Sequence, residues 1–356
     1  MFTSFLLVPE KTTAVIALPS LIYTSDEQPG YRRLRWGRGF SYRDADNKVL
    51  PKTIRRRIEA LVIPPAWEDV WICQFENGHL QCTGRDPAGR KQYRYHADWM
   101  AFRQASKFTK MRAFARALPH VRRQLDQDLH RPEWDKTRVL ALAVSVLDNV
   151  HLRIGNQQYA RRNATYGLTT LRRRHLDLDG DGDLHLNYKA KSNKYRDVEV
   201  DDNELARLIQ ECAELPGYEV FRYRTGSRSY ETIDSHDVNT YIREIAGAAF
   251  SAKDFRTWAG TESAVAFYEE ARREVAETRK NLETELVRRV AAELGNTVSV
   301  CREYYIHPAV LQAVEEERVP SLDSISKKRL KAFGNQMDPA EIVALDLIEA
   351  AARRVD

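Results

Sequence analysis

Three features of the chain predict an α+β fold, with a small β-rich N-terminal domain ahead of a larger, mainly α-helical one. Residues 31 to about 97 carry short alternating stretches separated by Gly, Asn and Asp turns. From about residue 99 the apolar residues recur at helical spacing. Within that helical part, residues 166–200 return to a strand pattern around a tight turn, so a small sheet is inserted. The domains expected are 1–97 and 98–356, joined by a linker near residue 98.

The stretch RWGRGFSYRDADNKVL has two glycines, alternating apolar positions and an Asp/Asn turn. KTIRRRIEALV reads as one short helix. WEDVWICQF and HLQCTGRD flank an Asn-Gly pair, a hairpin signal because tight hairpin turns need φ > 0. DWMAFRQASKFTKMRAFARAL is then expected to be a helix ending at Pro119. PEWDKTRVLALAVSVLDNVHLRIG is expected to be a second helix with proline in its first turn. DLDGDG marks the turn in the inserted sheet. It begins like a calcium loop, with Asp177, Asp179, Asp181 and Gly182, but its twelfth position is Tyr188, where a bidentate Glu is needed. Helices are expected from there to the end, including the tail after residue 311 with its nine acidic and seven basic residues.

At 356 residues, 43% of them apolar and 30% charged, the chain has room for about two to three domains with sizeable cores. No apolar run approaches the ~20 residues of a membrane span. The opening MFTSFLLVPEKTTAVIALPSL is interrupted by Pro9, Glu10 and Lys11 and reads as neither signal peptide nor anchor. Four scattered cysteines without a C-x-x-C pair fit reduced thiols in a cytoplasmic protein, and nine histidines without ligand spacing predict no metal site. The net charge of +5 says less than its distribution. Arg85 to Arg116 holds nine basic and two acidic residues, and Asn149 to Leu176 holds six arginines and no carboxylate. Aromatics interleave both stretches, as in RKQYRYH and QQYARRNATY. A solvated face explains any one such run. Two of them, on either side of the expected linker, fit a clamp on nucleic acid better.

VCREYYIHP, residues 300–308, sets two tyrosines side by side. Adjacent tyrosines are ordinarily packing residues, and the stretch alone does not choose between them. A tyrosine nucleophile has stringent needs. A free phenol, with a pKa of about 10, attacks a phosphodiester poorly at neutral pH. Charge building on the non-bridging oxygens needs fixed cations or donors, and the departing alkoxide needs a proton. The minimum set is one Tyr, two or more Arg, and a Lys or His acid. If arginines supply the electrostatics, no metal is required.

HLRIGNQQYARRNATYGLTTLRRRHL, YKAKSNKYRDVEV, KDFRTWAGTESA and LGNTVSVCREYYIHPAV together resemble, in order and spacing, the motifs of type IB DNA topoisomerases of the compact poxvirus/bacterial form. GRGFSYRDADNKVL and IPPAWEDVWICQFENGHLQCTGRDPAGRKQYRYHADW resemble that family's N-terminal domain, so the likeness covers about residues 31–315. The resemblance implies that Arg153 in RIGN and Arg256 in KDFRT contact the scissile phosphate. It implies that Lys191 in KAKSNK is the general acid on the 5′ oxygen. Tyr305 in YIHP matches the nucleophile and Tyr304 is the bystander. Many relatives carry a histidine nine residues before the nucleophile; here that position is Asn296, which can donate a hydrogen bond without a charge.

Taken singly, these residues have plainer explanations. Arg153 could cap a helix C-terminus, Arg256 could pair with Asp254, and Lys189 or Lys194 could contact phosphate in place of Lys191. In the N-terminal domain Gln92, Tyr93 and Tyr95 match positions that enter the major groove in relatives; Arg90 there and Tyr159 in the second domain are expected as backbone contacts. The resemblance implies a C-shaped clamp that relaxes duplex DNA through a 3′-phosphotyrosine, without ATP, metal or other cofactor. A cytoplasmic, nucleoid-associated monomer is expected. A tyrosine recombinase shares the chemistry but usually has H-x-x-R where this chain has Lys253 in KDFR. A non-enzymatic architectural DNA-binding protein would need the clamp but not the Tyr, Arg and Lys set.

Overall fold

In the computed structural model, residues 20–278 and 280–354 are described. They fall into two compact units divided between Thr109 and Lys110. The apolar opening stretch lies, up to residue 19, outside the described residues.

The first unit is built on a five-stranded antiparallel sheet. Its elements are β1 (Tyr31–Trp36), β2 (Gly39–Arg43), helix α1 (Lys52–Ala60), β3 (Glu68–Ile72), β4 (Leu80–Arg85) and β5 (Lys91–Tyr95), in the spatial order β2-β1-β3-β4-β5. Tyr42, Leu50, Ile58, Val70, Ile72 and Cys82 form its core, with Ile58 of α1 fully buried against the sheet. Buried Arg33 ties the Ile-Pro-Pro loop down by donating to the carbonyls of Ile63, Pro64 and Trp67. The Asn-Gly pair does lie between β3 and β4, but in a longer connection. Cys73 N–H still bonds Gln81 O (2.9 Å), and Gly78 also bridges to Ile22. Residues 22–28 run along this sheet: Thr24 bonds His79 and Leu80, and Asp26 accepts from Thr83 and Lys91.

Helix α2 (Ala97–Leu129) starts where the sequence pattern suggested a linker, and it does not stop at Pro119. Proline removes the donor that would serve Ala115, at a cost of about 3 kcal/mol in an isolated helix. Burial outweighs that cost. Met111, Phe114, Leu118, Val121 and Leu125 continue one buried stripe across the proline. Immediately after it, Arg122 donates to Asp148, Glu341 and the Gln336 carbonyl.

α3 (Lys136–Val150) begins at an Asp135 cap, four residues later than the proline suggested. α4 (Gln157–Asn163) follows, capped by Asn156. β6 (Leu176–Leu178), β7 (Leu184–Lys189) and β8 (Tyr195–Glu199) make the inserted antiparallel sheet. The Asp-rich turn between β6 and β7 is closed by Asp179, whose carboxylate accepts from the backbone of Asp181 and Asp183, both at 2.9 Å. α5 (Asn203–Glu214), a short hairpin of β9 (Arg222–Arg224) and β10 (Tyr230–Thr232), and α6 (Ser235–Ala246) lead to the central helix α7 (Ala252–Ala266). α8 (Tyr268–Thr278), α9 (Leu282–Glu293), α10 (Val298–Tyr304), α11 (Pro308–Glu315), α12 (Lys327–Ala332) and α13 (Pro339–Ala352) complete the unit.

The acidic-mixed tail is part of the core. Ile342, Val343, Leu345 and Ile348 of α13 are buried, and Glu341 accepts from Trp258 of α7. All four cysteines are free and buried; burial pushes the Cys82 thiol up to about 11. No described helix is long and apolar enough to cross a membrane.

Candidate active site

α7 carries the site on one face. Arg256 and Gly260 are one turn apart, and Thr261 follows. Arg256 is 5% exposed and donates to the His151 carbonyl, at the end of α3, and to the Leu294 carbonyl (2.9 Å), at the end of α9. Asp254, its possible sequence partner, is instead taken by Lys110 at 2.9 Å and by the Ser251 cap. The Arg256 guanidinium carbon lies 5.7 Å from the Tyr305 ring centroid, with the phenol oxygen within hydrogen-bonding reach. Burial and then the neighbouring Arg153 cation lower Arg256 to about 10, which still leaves it charged at neutral pH.

Tyr305 sits just past α10. Its carbonyl accepts from the Thr261 hydroxyl (3.1 Å), and that same hydroxyl accepts from the His307 N–H (3.0 Å). Ile306 is fully buried and pins the segment. A Cβ at Gly260 would stand 2.8 Å from both the Cβ and the carbonyl oxygen of Tyr305, so only glycine lets the two backbones come this close. Tyr304 is differently placed: a hydrogen bond to Glu303, then burial, push its phenol pKa up.

Arg153 follows the left-handed turn at His151 (φ 54°) that ends α3. Gly155 (φ +84°) and Gly167 pack backbone to backbone there, and Leu168 N–H bonds the Arg153 carbonyl at 2.9 Å. The half-buried guanidinium donates to the Asn296 side-chain oxygen and lies 3.4 Å from the Gly295 carbonyl. Asn296 in turn is set by the closing turn of α9. Gly295 (φ +59°) bonds Ala292 O and Asn296 N–H bonds Ala291 O, the paired bonds of a Schellman motif. Two donors have no nitrogen or oxygen acceptor among the described residues: Arg256 Nε, and Asn296 Nδ2, which has only the Cys301 thiol within reach. Buried unsatisfied donors are costly, and an anionic oxygen is the natural acceptor for both.

Lys191 stands apart. It lies on the exposed tip between β7 and β8, where Ser192 (φ 66°) and Asn193 (φ 59°) are both left-handed. Its ammonium has no polar partner among the described residues, whereas Lys194 Nζ reaches the Asn296 carbonyl at 3.5 Å. Arg153, Arg256, Asn296 and Tyr305 are therefore brought together, and Lys191 is not in contact with them.

Comparison with known proteins matches residues 96–331 to the family described as eukaryotic DNA topoisomerase I, catalytic core. Residues 39–86 match the bacterial DNA topoisomerase IB N-terminal domain. The chain belongs to the type IB DNA topoisomerases. The DNA topoisomerase 1B of Acanthamoeba polyphaga mimivirus is 30% identical over 75% of this chain and 81% of the viral protein. The vaccinia virus DNA topoisomerase 1B (strain Copenhagen) and the monkeypox virus DNA topoisomerase I are each 21% identical over 77% of the chain and 82% of theirs.

In this topoisomerase, the predicted DNA-contacting residues of the first unit lie on and beside the edge strand β5. Tyr93 and Tyr95 are exposed on one face with their rings stacked 6.1 Å apart. Gln92 alternates to the opposite face, and its amide donates to Asp86 (2.9 Å), the same carboxylate that Arg90 engages at 2.7 Å. Tyr159 is exposed on α4. Sequence reasoning did not reach Tyr23, which stacks on His79 (3.9 Å) and extends the row of rings toward Trp99. It also passed over Gly260, although a glycine inside a helix, about 1 kcal/mol worse than alanine, is itself a signal of close backbone approach.

Proposed function

We propose that Tyr305 is the nucleophile by which this topoisomerase opens one strand of duplex DNA. Its phenol oxygen bonds to the scissile phosphorus, the bond to the 5′ oxygen breaks, and a 3′-phosphotyrosine forms. Arg153, Arg256 and Asn296 hold the non-bridging oxygens as charge develops there. Lys191 gives its proton to the departing 5′ oxygen, while the phenol proton passes to solvent. After the free end swivels, the 5′ hydroxyl attacks the phosphotyrosine and reseals the strand. The phosphoester bond is conserved in the covalent intermediate, so the cycle runs downhill without ATP or a metal ion.

What supports this reading above all is the placement of the Tyr305 phenol beside Arg256, with two buried donors left without a nitrogen or oxygen acceptor at the same spot. Asn296 takes the part of a histidine through its amide hydrogens, which the weakly accepting Cys301 thiol leaves available. The first unit adds contacts to the duplex through Tyr93 and Tyr95, and the enzyme acts as a nucleoid-associated monomer in the cytoplasm. The exposed cations predict binding that weakens steeply with salt.

The test is relaxation of a supercoiled plasmid in EDTA without nucleotide. Wild type and Tyr304→Phe should relax it, and Tyr305→Phe should not. Relaxation by Tyr305→Phe, or a covalent adduct that persists in it, would remove Tyr305 from the role.

A further inference from the structure

Lys191 must reach the 5′ oxygen while Arg153 and Asn296 hold the phosphate, yet its own side chain is anchored to nothing. Something else has to set the distance between the acid and the phosphate. The hairpin tip is closed by one short bond, Ala190 N–H to Lys194 O at 2.7 Å, which shapes the tip but does not locate it.

At its base the hairpin is held by Tyr166 N–H, which bonds the Lys189 carbonyl at 2.8 Å, but the contact toward the turn that carries Asn296 comes from Arg196, which is paired across the hairpin with Tyr188. Its guanidinium donates to the carbonyls of Ala292 (3.0 Å) and Glu293 (2.7 Å). These belong to the last turn of α9, where the Ala292 carbonyl also accepts from the Gly295 N–H and the helix dipole favours a cation. The fit is interlocked. A Cβ at Gly295 would fall 2.7 Å from Nη1 and 2.9 Å from Cδ of Arg196, so the left-handed glycine and the arginine occupy one space. The residue after that glycine is Asn296, whose side chain holds Arg153. On the hairpin side, Tyr188 is buried and within hydrogen-bonding reach of Arg196. The only other polar side-chain link from the hairpin to this turn, among the described residues, is the 3.5 Å contact of Lys194.

We propose that Arg196 is a positioning residue for general-acid catalysis. It locks the Lys191 hairpin to the turn that carries Asn296, so that the proton donor and the phosphate-holding groups keep one geometry. The inference rests on the reading of Lys191 as general acid. It touches only the step in which the bond from phosphorus to the 5′ oxygen breaks, its electron pair goes to that oxygen, and the oxygen takes a proton from Nζ.

Leaving-group chemistry separates this role from a merely structural one. A duplex whose scissile 5′ oxygen is replaced by sulfur expels a thiolate, which needs no proton at neutral pH. Single-turnover cleavage is measured on the oxygen and sulfur substrates for wild type, Lys191→Ala, Arg196→Ala and Arg196→Lys. Arg196→Ala should cleave the oxygen substrate about 10- to 100-fold more slowly and the sulfur substrate within about threefold of wild type, the pattern of a misplaced acid. Lys191→Ala should show the same split, more strongly. Arg196→Lys, which can meet one carbonyl but not two, should fall between, and it supplies the measurement if the alanine variant does not fold. If Lys191→Ala is rescued by sulfur but the Arg196 variants are equally slow on both substrates, the positioning role is wrong. If Lys191→Ala is itself slow on both, Lys191 is not the acid, and the inference falls with that reading.

Discussion

Gly260→Ala isolates the contact that seats Tyr305, the proposed nucleophile. The added methyl would sit 2.8 Å from the Cβ and the carbonyl oxygen of Tyr305 and 3.1 Å from Leu294 Cδ1, where ordinary contact begins at 3.4 Å. The α7 backbone is held by its own ladder and by buried Arg256, so the Tyr305 segment is the partner that yields, by at least about 0.6 Å. A displacement approaching 1 Å in a reacting group can cost about 10²-fold in rate. Stability should change less. Overpacking costs roughly 1–3 kcal/mol, and replacing a mid-helix glycine by alanine returns about 1 kcal/mol of it. The expected variant is folded, binds duplex with near wild-type affinity, and cleaves about 30- to 100-fold more slowly in a single turnover. Cleavage of a nicked suicide substrate, filter binding and thermal unfolding read the three quantities. Cleavage within twofold of wild type in the folded variant would refute the claim that this close approach sets the position of Tyr305.

Three other expectations follow from the same geometry. Asn296→Ala removes the acceptor that orients Arg153 and the donor proposed for the phosphate, so single-turnover cleavage should fall by about 10²-fold or more with little change in duplex affinity; a loss below threefold counts against the proposed role. Arg122→Ala leaves the buried carboxylates of Asp148 and Glu341 without their cation and should destabilise the catalytic unit by roughly 3–5 kcal/mol, read as a lower midpoint in denaturant; an unchanged midpoint would contradict it. Glu262 is raised to about 8 by burial and then by Glu341 and Asp338, against Arg122 and Ser263. The folded state thus keeps a proton that the unfolded chain loses near its ordinary carboxylate pKa. Stability therefore falls as pH rises through the window between about 4.5 and 8 and levels off above it. Glu262→Gln should stabilise by roughly 2–4 kcal/mol above pH 8 and by little near pH 5; an equal gain at both would sink the argument.

What can be read from neighbouring residues was legible. The period-two stretches became β1 to β8, and the Asp179 turn closes its hairpin with its own carboxylate, whereas the Asp135 cap and not the proline starts α3. These are local interactions, complete within a few residues, so the pattern itself carries them. Arg153, Arg256, Asn296 and Tyr305 were singled out by the resemblance of the ordered set of motifs, since each of them alone has a plainer local explanation. Local rules failed where distant parts of the chain decide. Pro119 should end a helix, but the stripe of Phe114, Leu118, Val121 and Leu125 and the ion pairs of Arg122 carry α2 through it. The tail was expected to be helical, but nothing local shows that Glu341 is buried, because Arg122 and Trp258 that receive it lie more than 80 residues away.

The site divides along the same line. Sequence alone determined which side chains are available for phosphoryl chemistry and in what order they occur. Tertiary structure decided what those side chains can do together. Arg256 is aimed by carbonyls at the ends of two other helices, Tyr305 is seated by the missing side chain of Gly260, and the turn holding Asn296 is filled by Arg196 from a separate sheet. No local propensity encodes such contacts, because each joins groups about 40 to 105 residues apart and exists only once the helices have packed.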